Sequence, residues 1–197
     1  MRHLILYSHP NPESFNHAIL TTLTERLKKA GQEVRIRDLY AMNFDPVLKF
    51  SEMKGFEHGA VPEDIRAEHE HIRWAEILTM ICPIWWGGFT ANLRGYLDRV
   101  FSLGFAYQPT AEGVQALLTD KKVYTINTLA APAQVYEDLG LYQSMNNILD
   151  RIVFQFCGLQ VIGHKYFAFV DAATEQERQD MLKEVEDIAQ RLSRLTV

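Results

Sequence analysis

Three short segments of this chain concentrate residues suited to holding a planar, anionic ligand. The first is His9-Pro10-Asn11-Pro12-Glu13-Ser14-Phe15-Asn16, in which Ser14 or Asn16 is placed to cap a helix. Free N–H groups at a helix start bind anions, and a phosphate or pyrophosphate is the anion expected here. One helix terminus contributes only about 0.3–1 kcal/mol through its dipole, so tight binding requires further loops. The second segment, Cys82-Pro83-Ile84-Trp85-Trp86-Gly87-Gly88-Phe89, presents two indoles as flat apolar surface. Its glycines, Gly87 and Gly88, allow backbone N–H groups to approach a ligand closely. The third, Asn127-Thr128-Leu129-Ala130-Ala131-Pro132-Ala133-Gln134-Val135-Tyr136, is built of small residues and ends at a tyrosine. Indoles packed beneath their loop and a plainly capped helix are the competing structural readings.

Other chemistry has little footing. Neither GxGxxG nor GxxxxGK[ST] occurs, so the usual dinucleotide and P-loop fingerprints are absent. Cys82 and Cys157 belong to no metal-ligand spacing. His69 and His71 stand two residues apart and do not share a helical face, so no metal site is read.

The elements that must position these segments follow from periodicity. Strand-like runs occupy residues 3–8, 34–39, 77–82 and 122–127, with two further runs at 159–163 and 166–170. Helical patterns fit residues 14–30, where Leu20, Leu23, Leu27 and Ala30 recur at spacings of three and four and Gly31 follows as a stop. Further helices fit 63–74, the stretch through Arg99, 142–156 and 175–195. A long polar connection, 40–62, is long enough to be functional, for instance as a rim or dimer contact. This alternation predicts an α/β fold whose five-stranded parallel sheet, order 2-1-3-4-5, is covered on both faces. In that order the loops after strands one, three and four line one crevice at the carboxyl edge. Phosphate at the first loop and a planar ring between the other two suits a flavin, and a purine nucleotide satisfies the same spacing.

Composition sets the outer bounds. The 197 residues, 47% apolar and 23% charged, suit a single domain over 1–197. A net charge of −5 gives no electrostatic footprint for nucleic acid. No apolar run is long enough for a membrane span, and the start of the chain reads as a strand rather than a signal peptide. Two cysteines outside any pairing pattern suit a reducing compartment, and the cytoplasm is expected.

Three blocks resemble the flavodoxin-like NAD(P)H:quinone oxidoreductase family, of the DT-diaphorase and modulator-of-drug-activity type. They are His9 to Asn16; Pro83-Ile84-Trp85-Trp86 with Leu93-Arg94-Gly95-Tyr96-Leu97-Asp98-Arg99-Val100-Phe101 and Gly104-Phe105-Ala106-Tyr107; and Phe156-Cys157-Gly158-Leu159. The resemblance implies a flavodoxin-like three-layer sandwich, FAD or alternatively FMN as cofactor, NAD(P)H as co-substrate, a quinone-like acceptor and a homodimer with shared active sites. It implies that His9, Ser14, Phe15 and Asn16 hold the cofactor's phosphate side, and that Pro83, Ile84, Trp85, Trp86 and Gly87 cradle the ring. Asn127, Thr128, Leu129 and Ala130 match the family's Thr-Thr-Gly-Gly, so the glycines of that wall are replaced. Tyr136 and Tyr142 match the catalytic Tyr–His pair, and Tyr107 flanks the substrate pocket. A tyrosine at 142 donates a hydrogen bond but does not carry a proton near neutrality as histidine does. Thr90 replaces a common proline and Glu13 a common threonine. A flavin-binding regulatory subunit of an ion-efflux or other partner system is the alternative reading.

Overall fold

The computed structural model describes residues 1–195. In chain order the elements are β1 (Arg2–Tyr7), α1 (Phe15–Lys29), β2 (Glu33–Asp38), α2 (Phe50–Glu57), α3 (Glu63–Trp74), β3 (Ile77–Trp85), β4 (Gly88–Phe89) and α4 (Ala91–Val100). They continue with β5 (Tyr107–Thr110), β6 (Gly113–Ala116), β7 (Lys122–Thr128), α5 (Ala133–Asp138), α6 (Leu141–Asn146), a π-helix (Asn147–Gln155), β8 (Gln160–Phe167) and α7 (Glu175–Ser193). The parallel strands run in the order β2-β1-β3-β7-β8, which is the expected 2-1-3-4-5.

Side-chain alternation along the strands builds the layers. Ile5 and Tyr7 of β1, Ile81 of β3 and Ile126 of β7 pack with Ile19, Leu23 and Leu27 of α1 and Val185 and Ile188 of α7. Leu4 and Leu6, Leu78 and Met80 point the other way, against Ile65 and Ile72 of α3, Leu93, Tyr96 and Leu97 of α4, and Leu149 and Phe154 of the π-helix. The result is a flavodoxin-like three-layer sandwich.

Several expected boundaries differ. β3 does not stop before Pro83. It runs on to Trp85 and turns back as β4, pairing Ile84 with Phe89 and Trp85 with Gly88. Pro83 is tolerated because β3 there sits at the edge where the ladder to β1 has already ended at Ile81. The connection 40–62 contains α2, whose Glu52 is held by the buried Arg99 of α4 at 2.6 Å. The helix expected over 142–156 is α6 followed by the π-helix, with α5 before it. Run 159–163 and the start of run 166–170 form one strand, β8, which ends at Phe167 and has a register shift opposite Val123/Tyr124 on β7. The β5–β6 hairpin was not anticipated. The final helix ends at Ser193.

Candidate functional site

Parallel pairing brings the carboxyl ends of β1, β3, β7 and β8 to one edge, where Tyr7 pairs with Ile81 and Thr128 with Phe167. Beyond β1 the chain turns into α1, and Ser14 is the cap: its hydroxyl accepts from the His17 N–H at 3.2 Å. Asn16 does not cap; its buried amide Nδ2 donates to Thr128 Oγ1 at 2.8 Å, joining the first loop to the end of β7. The first-turn N–H groups of Phe15 and Asn16 have no acceptor within the helix by their position. Ser8 and Thr90 hydroxyls lie 2.6 Å apart, joining the first loop to the start of α4, where Thr90 also caps the helix. The threonine at 90 thus has two tasks that a proline side chain cannot perform.

The double-Trp segment is a two-residue hairpin rather than an open loop. Trp86 and Gly87 have φ of 53° and 76°, the left-handed backbone a type I′ turn requires. Glycine adopts this readily, whereas a bulky residue there is out of the ordinary. Consecutive residues face opposite ways. Trp85 lies against the site, 6.1 Å from the His9 ring, and Trp86 stands fully exposed at the tip.

A pocket at this edge is lined by His9, Asn11, Glu13, Ser14, Phe15 and Asn16 from the first loop, Pro83, Ile84 and Trp85 from the hairpin, and Thr128, Leu129 and Ala130 from the end of β7. Val170, Asp171 and Arg178 complete it from the connection after β8 and the start of α7. Ten of the sequence-derived cofactor residues therefore converge. Trp86 and Gly87 lie outside the pocket, and Asn127 is turned into the interior, donating to the Cys82 carbonyl at 2.9 Å. The three tyrosines are elsewhere. Tyr136 stacks on Tyr142 at 5.5 Å, and Tyr107 on the β5–β6 hairpin packs against Phe156. Arg178 escaped the sequence reading because nothing in an ordinary amphipathic helix marks a residue that the fold delivers to a distant loop, and Val170 and Asp171 because they sit in an unremarkable connection after β8.

The pocket sets one guanidinium, Arg178, among two carboxylates, Glu13 and Asp171, so an anion there is held by N–H donors rather than by net charge. His9 Nδ1 lies 3.0 Å from the Asn11 N–H and 3.1 Å from the Asn11 carbonyl, so the first loop holds the ring in place through that nitrogen in either tautomer. Burial, only partly offset by a hydrogen bond and Asp171, lowers the His9 pKa and keeps it a neutral donor. Arg178 spends one terminal nitrogen on the Val170 carbonyl at 3.2 Å. Its Nε is buried without a partner among the described residues, as is Asn16 Oδ1. Both residues line the pocket, so it has an unmet buried donor and an unmet buried acceptor in its walls. With the helix-start N–H groups at one end and the Trp85 face at the other, these residues fit a flavin nucleotide. Among the described residues no His, Cys, Asp or Glu cluster could hold a metal, and no helix is long and apolar enough to cross a membrane.

Residues 1–192 match the family described as flavodoxin-like fold, so the chain is a flavodoxin-like protein. Its relatives narrow this. An uncharacterized NAD(P)H oxidoreductase of Haemophilus influenzae is 36% identical over 184 residues, covering 93% of this chain and 91% of its own. Rat NAD(P)H dehydrogenase [quinone] 1 is 32% identical over 82% of this chain, which spans 66% of that longer protein. The solved NAD(P)H:quinone oxidoreductase of Methanothermobacter marburgensis superposes with a TM-score of 0.90 at 27% identity, covering 98% of both chains. The chain belongs to the flavodoxin-like NAD(P)H:quinone oxidoreductase family.

Proposed function

We propose that this protein is a flavin-dependent oxidoreductase that takes hydride from NAD(P)H and delivers it to a quinone-like acceptor in two successive steps at one site. The observation that carries the reading is one pocket with a helix start and an indole in its lining, whose wall residues Asn16 and Arg178 each hold a buried polar atom without a partner among the described residues. When bound, the flavin supplies the hydride chemistry, and the protein supplies orientation and hydrogen bonds.

In this reading the N–H groups of Phe15 and Asn16, with His9 and Arg178, hold the phosphate side. Pro83, Ile84 and Trp85 form one wall, and Thr128, Leu129 and Ala130 the other. Tyr136 and Tyr142 act as hydrogen-bond donors at the ring's edge. Burial and the nearby Glu137 carboxylate raise the Tyr142 pKa, so its phenol keeps its proton. FAD is favoured over FMN because the pocket continues past the start of α1 to Val170, Asp171 and Arg178.

The wider assignment is a cytoplasmic homodimer of one flavodoxin-like domain. Ile148 and Ile152 of the π-helix and Phe156 at its C-terminal cap recur at a spacing of four and are exposed, next to Tyr107. A second copy covering this stripe brings Tyr107 to a shared site. Two buried free thiols, Cys82 and Cys157, support a reducing compartment.

Reconstitution of the purified chain with FAD or FMN, followed by mass spectrometry of the retained cofactor, tests binding. NADH or NADPH oxidation with menadione tests turnover. Retained FAD with rapid oxidation is the expected result. A chain that takes up neither flavin overturns the reading, and flavin binding without turnover moves it to the regulatory alternative.

A further inference from the structure

Behind the pocket wall lies a buried polar cluster that the proposed chemistry does not use. Asn127 of β7 donates through Nδ2 to the Cys82 carbonyl of β3 at 2.9 Å, which fixes its Oδ1 toward β8. There His164 Nε2 lies 2.7 Å from that oxygen. Because Oδ1 only accepts, Nε2 is the protonated nitrogen and donates. The other nitrogen, Nδ1, faces Asp150 Oδ1 at 3.5 Å and the Tyr166 hydroxyl at 3.4 Å. Asp150 Oδ1 is buried and has no hydrogen-bond partner of its own among the described residues. The Asn127 side chain is therefore a crossbar joining three adjacent strands at the level where the pocket begins, with Thr128 the next residue in the wall.

The same imidazole also begins a ring stack outside the pocket lining. It stacks on Tyr166 with centroids 4.1 Å apart. Tyr166 donates to Asn146 Oδ1 at 2.8 Å, at the end of α6. Tyr142 packs on Tyr166 at 5.0 Å, and Tyr136 on Tyr142 at 5.5 Å. α5 buries none of its residues and α6 only Met145, and this ring stack joins the core packing of Leu141 and Met145 in holding the segment that carries the two tyrosines.

We infer that His164 is a positioning residue of the pocket, setting the end of β7 through its hydrogen bond to Asn127. The inference rests on the flavin reading for its functional consequence, while the positioning itself is a property of the chain alone.

Two substitutions separate its hydrogen bonds. A glutamine amide reaches the place of Nε2 and restores donation to Asn127, whereas the shorter asparagine reaches only the place of Nδ1. The first readout, on the cofactor-free protein, is hydrogen exchange at the Leu129 amide, which donates to the Phe167 carbonyl at 2.9 Å just beyond the crossbar. The second is the flavin dissociation constant. His164→Asn is expected to speed exchange and weaken flavin binding by about tenfold each, the equivalent of one lost hydrogen bond. His164→Gln is expected to stay within about twofold of the parent in both. The inference is overturned if both variants match the parent, or if both change equally along with thermal stability. A parent chain that binds no flavin overturns the functional reading separately, and the exchange pattern then decides the positioning role.

Discussion

Asn16, in the first turn of α1, donates from Nδ2 to Thr128 Oγ1 at the end of β7, a buried 2.8 Å bond between residues 112 positions apart. It fixes the distance between a helix start and a strand end that face each other across the pocket. Thr128→Val keeps the shape and removes the acceptor, leaving a buried amide donor unmet. The expected loss is about 1–3 kcal/mol. For a chain of this length that is a fall of roughly 3–10 °C in Tm. Calorimetry reads the stability, and flavin titration is expected to show weaker binding in the same variant.

The two adjacent indoles are expected to behave oppositely. Trp85→Ala removes a pocket wall and is expected to weaken flavin retention at least tenfold, about 1.4 kcal/mol or more. Trp86→Gly relieves a left-handed backbone carrying a bulky side chain, at φ 53°. It is expected to leave pocket affinity within about twofold and to raise stability by about 1 kcal/mol. Titration of both variants with FAD, and their urea midpoints, check this. Greater flavin loss in the Trp86 variant is the result that contradicts the geometry.

His3 supplies a pH signature. It is fully buried on β1, and burial first, then the N-terminal ammonium, lower its pKa from 6.5 to about 4. Between these values the unfolded chain binds more protons than the folded one, so stability rises with pH. The contribution is complete above about pH 6.5 and is lost progressively as pH falls toward 4, amounting to about 3 kcal/mol at the lower end. His9, His69 and His71 are shifted in the same direction, so the test is the difference between proteins. His3→Leu is expected to flatten the slope of unfolding free energy between pH 4 and 6.5.

Arg99 clamps α2 onto α4. It donates to Glu52 at 2.6 and 3.1 Å and to the Asp45 carbonyl at 2.7 Å, with Asp64 at 2.8 Å. Arg99→Met fills the space but leaves Glu52 buried without its partner, at an expected cost of about 3–5 kcal/mol. Limited proteolysis is expected to cut first between residues 46 and 60.

Much of the scaffold was legible because its signals are local. Helix α1 shows its Leu20–Leu23–Leu27 stripe, and Gly31 follows with φ 76° as its stop. The bounds of α3 and the strand order followed from the alternation of runs. α2 was not legible: it is short and polar, with an internal glycine at 55, and depends on Arg99 from a distant helix. The hairpin after β3 was hidden because tryptophan is not a residue that announces φ above zero. In the site, residues contiguous in the first loop and at strand ends were found. Arg178 and His164 were not, because only the parallel sheet brings β8 and α7 beside the first loop and β7.

The alternation of the hairpin gives the protein two optical reporters on a single wall. Of three tryptophans, Trp74 lies beneath the Arg35 guanidinium, Trp85 borders the pocket and Trp86 is bathed in solvent. A ligand entering the crevice quenches the emission of Trp85. A macromolecule settling over the hairpin tip instead shifts the emission of Trp86 to shorter wavelength. Single-tryptophan variants therefore distinguish loading of the interior from coverage of the exterior by steady-state fluorescence alone.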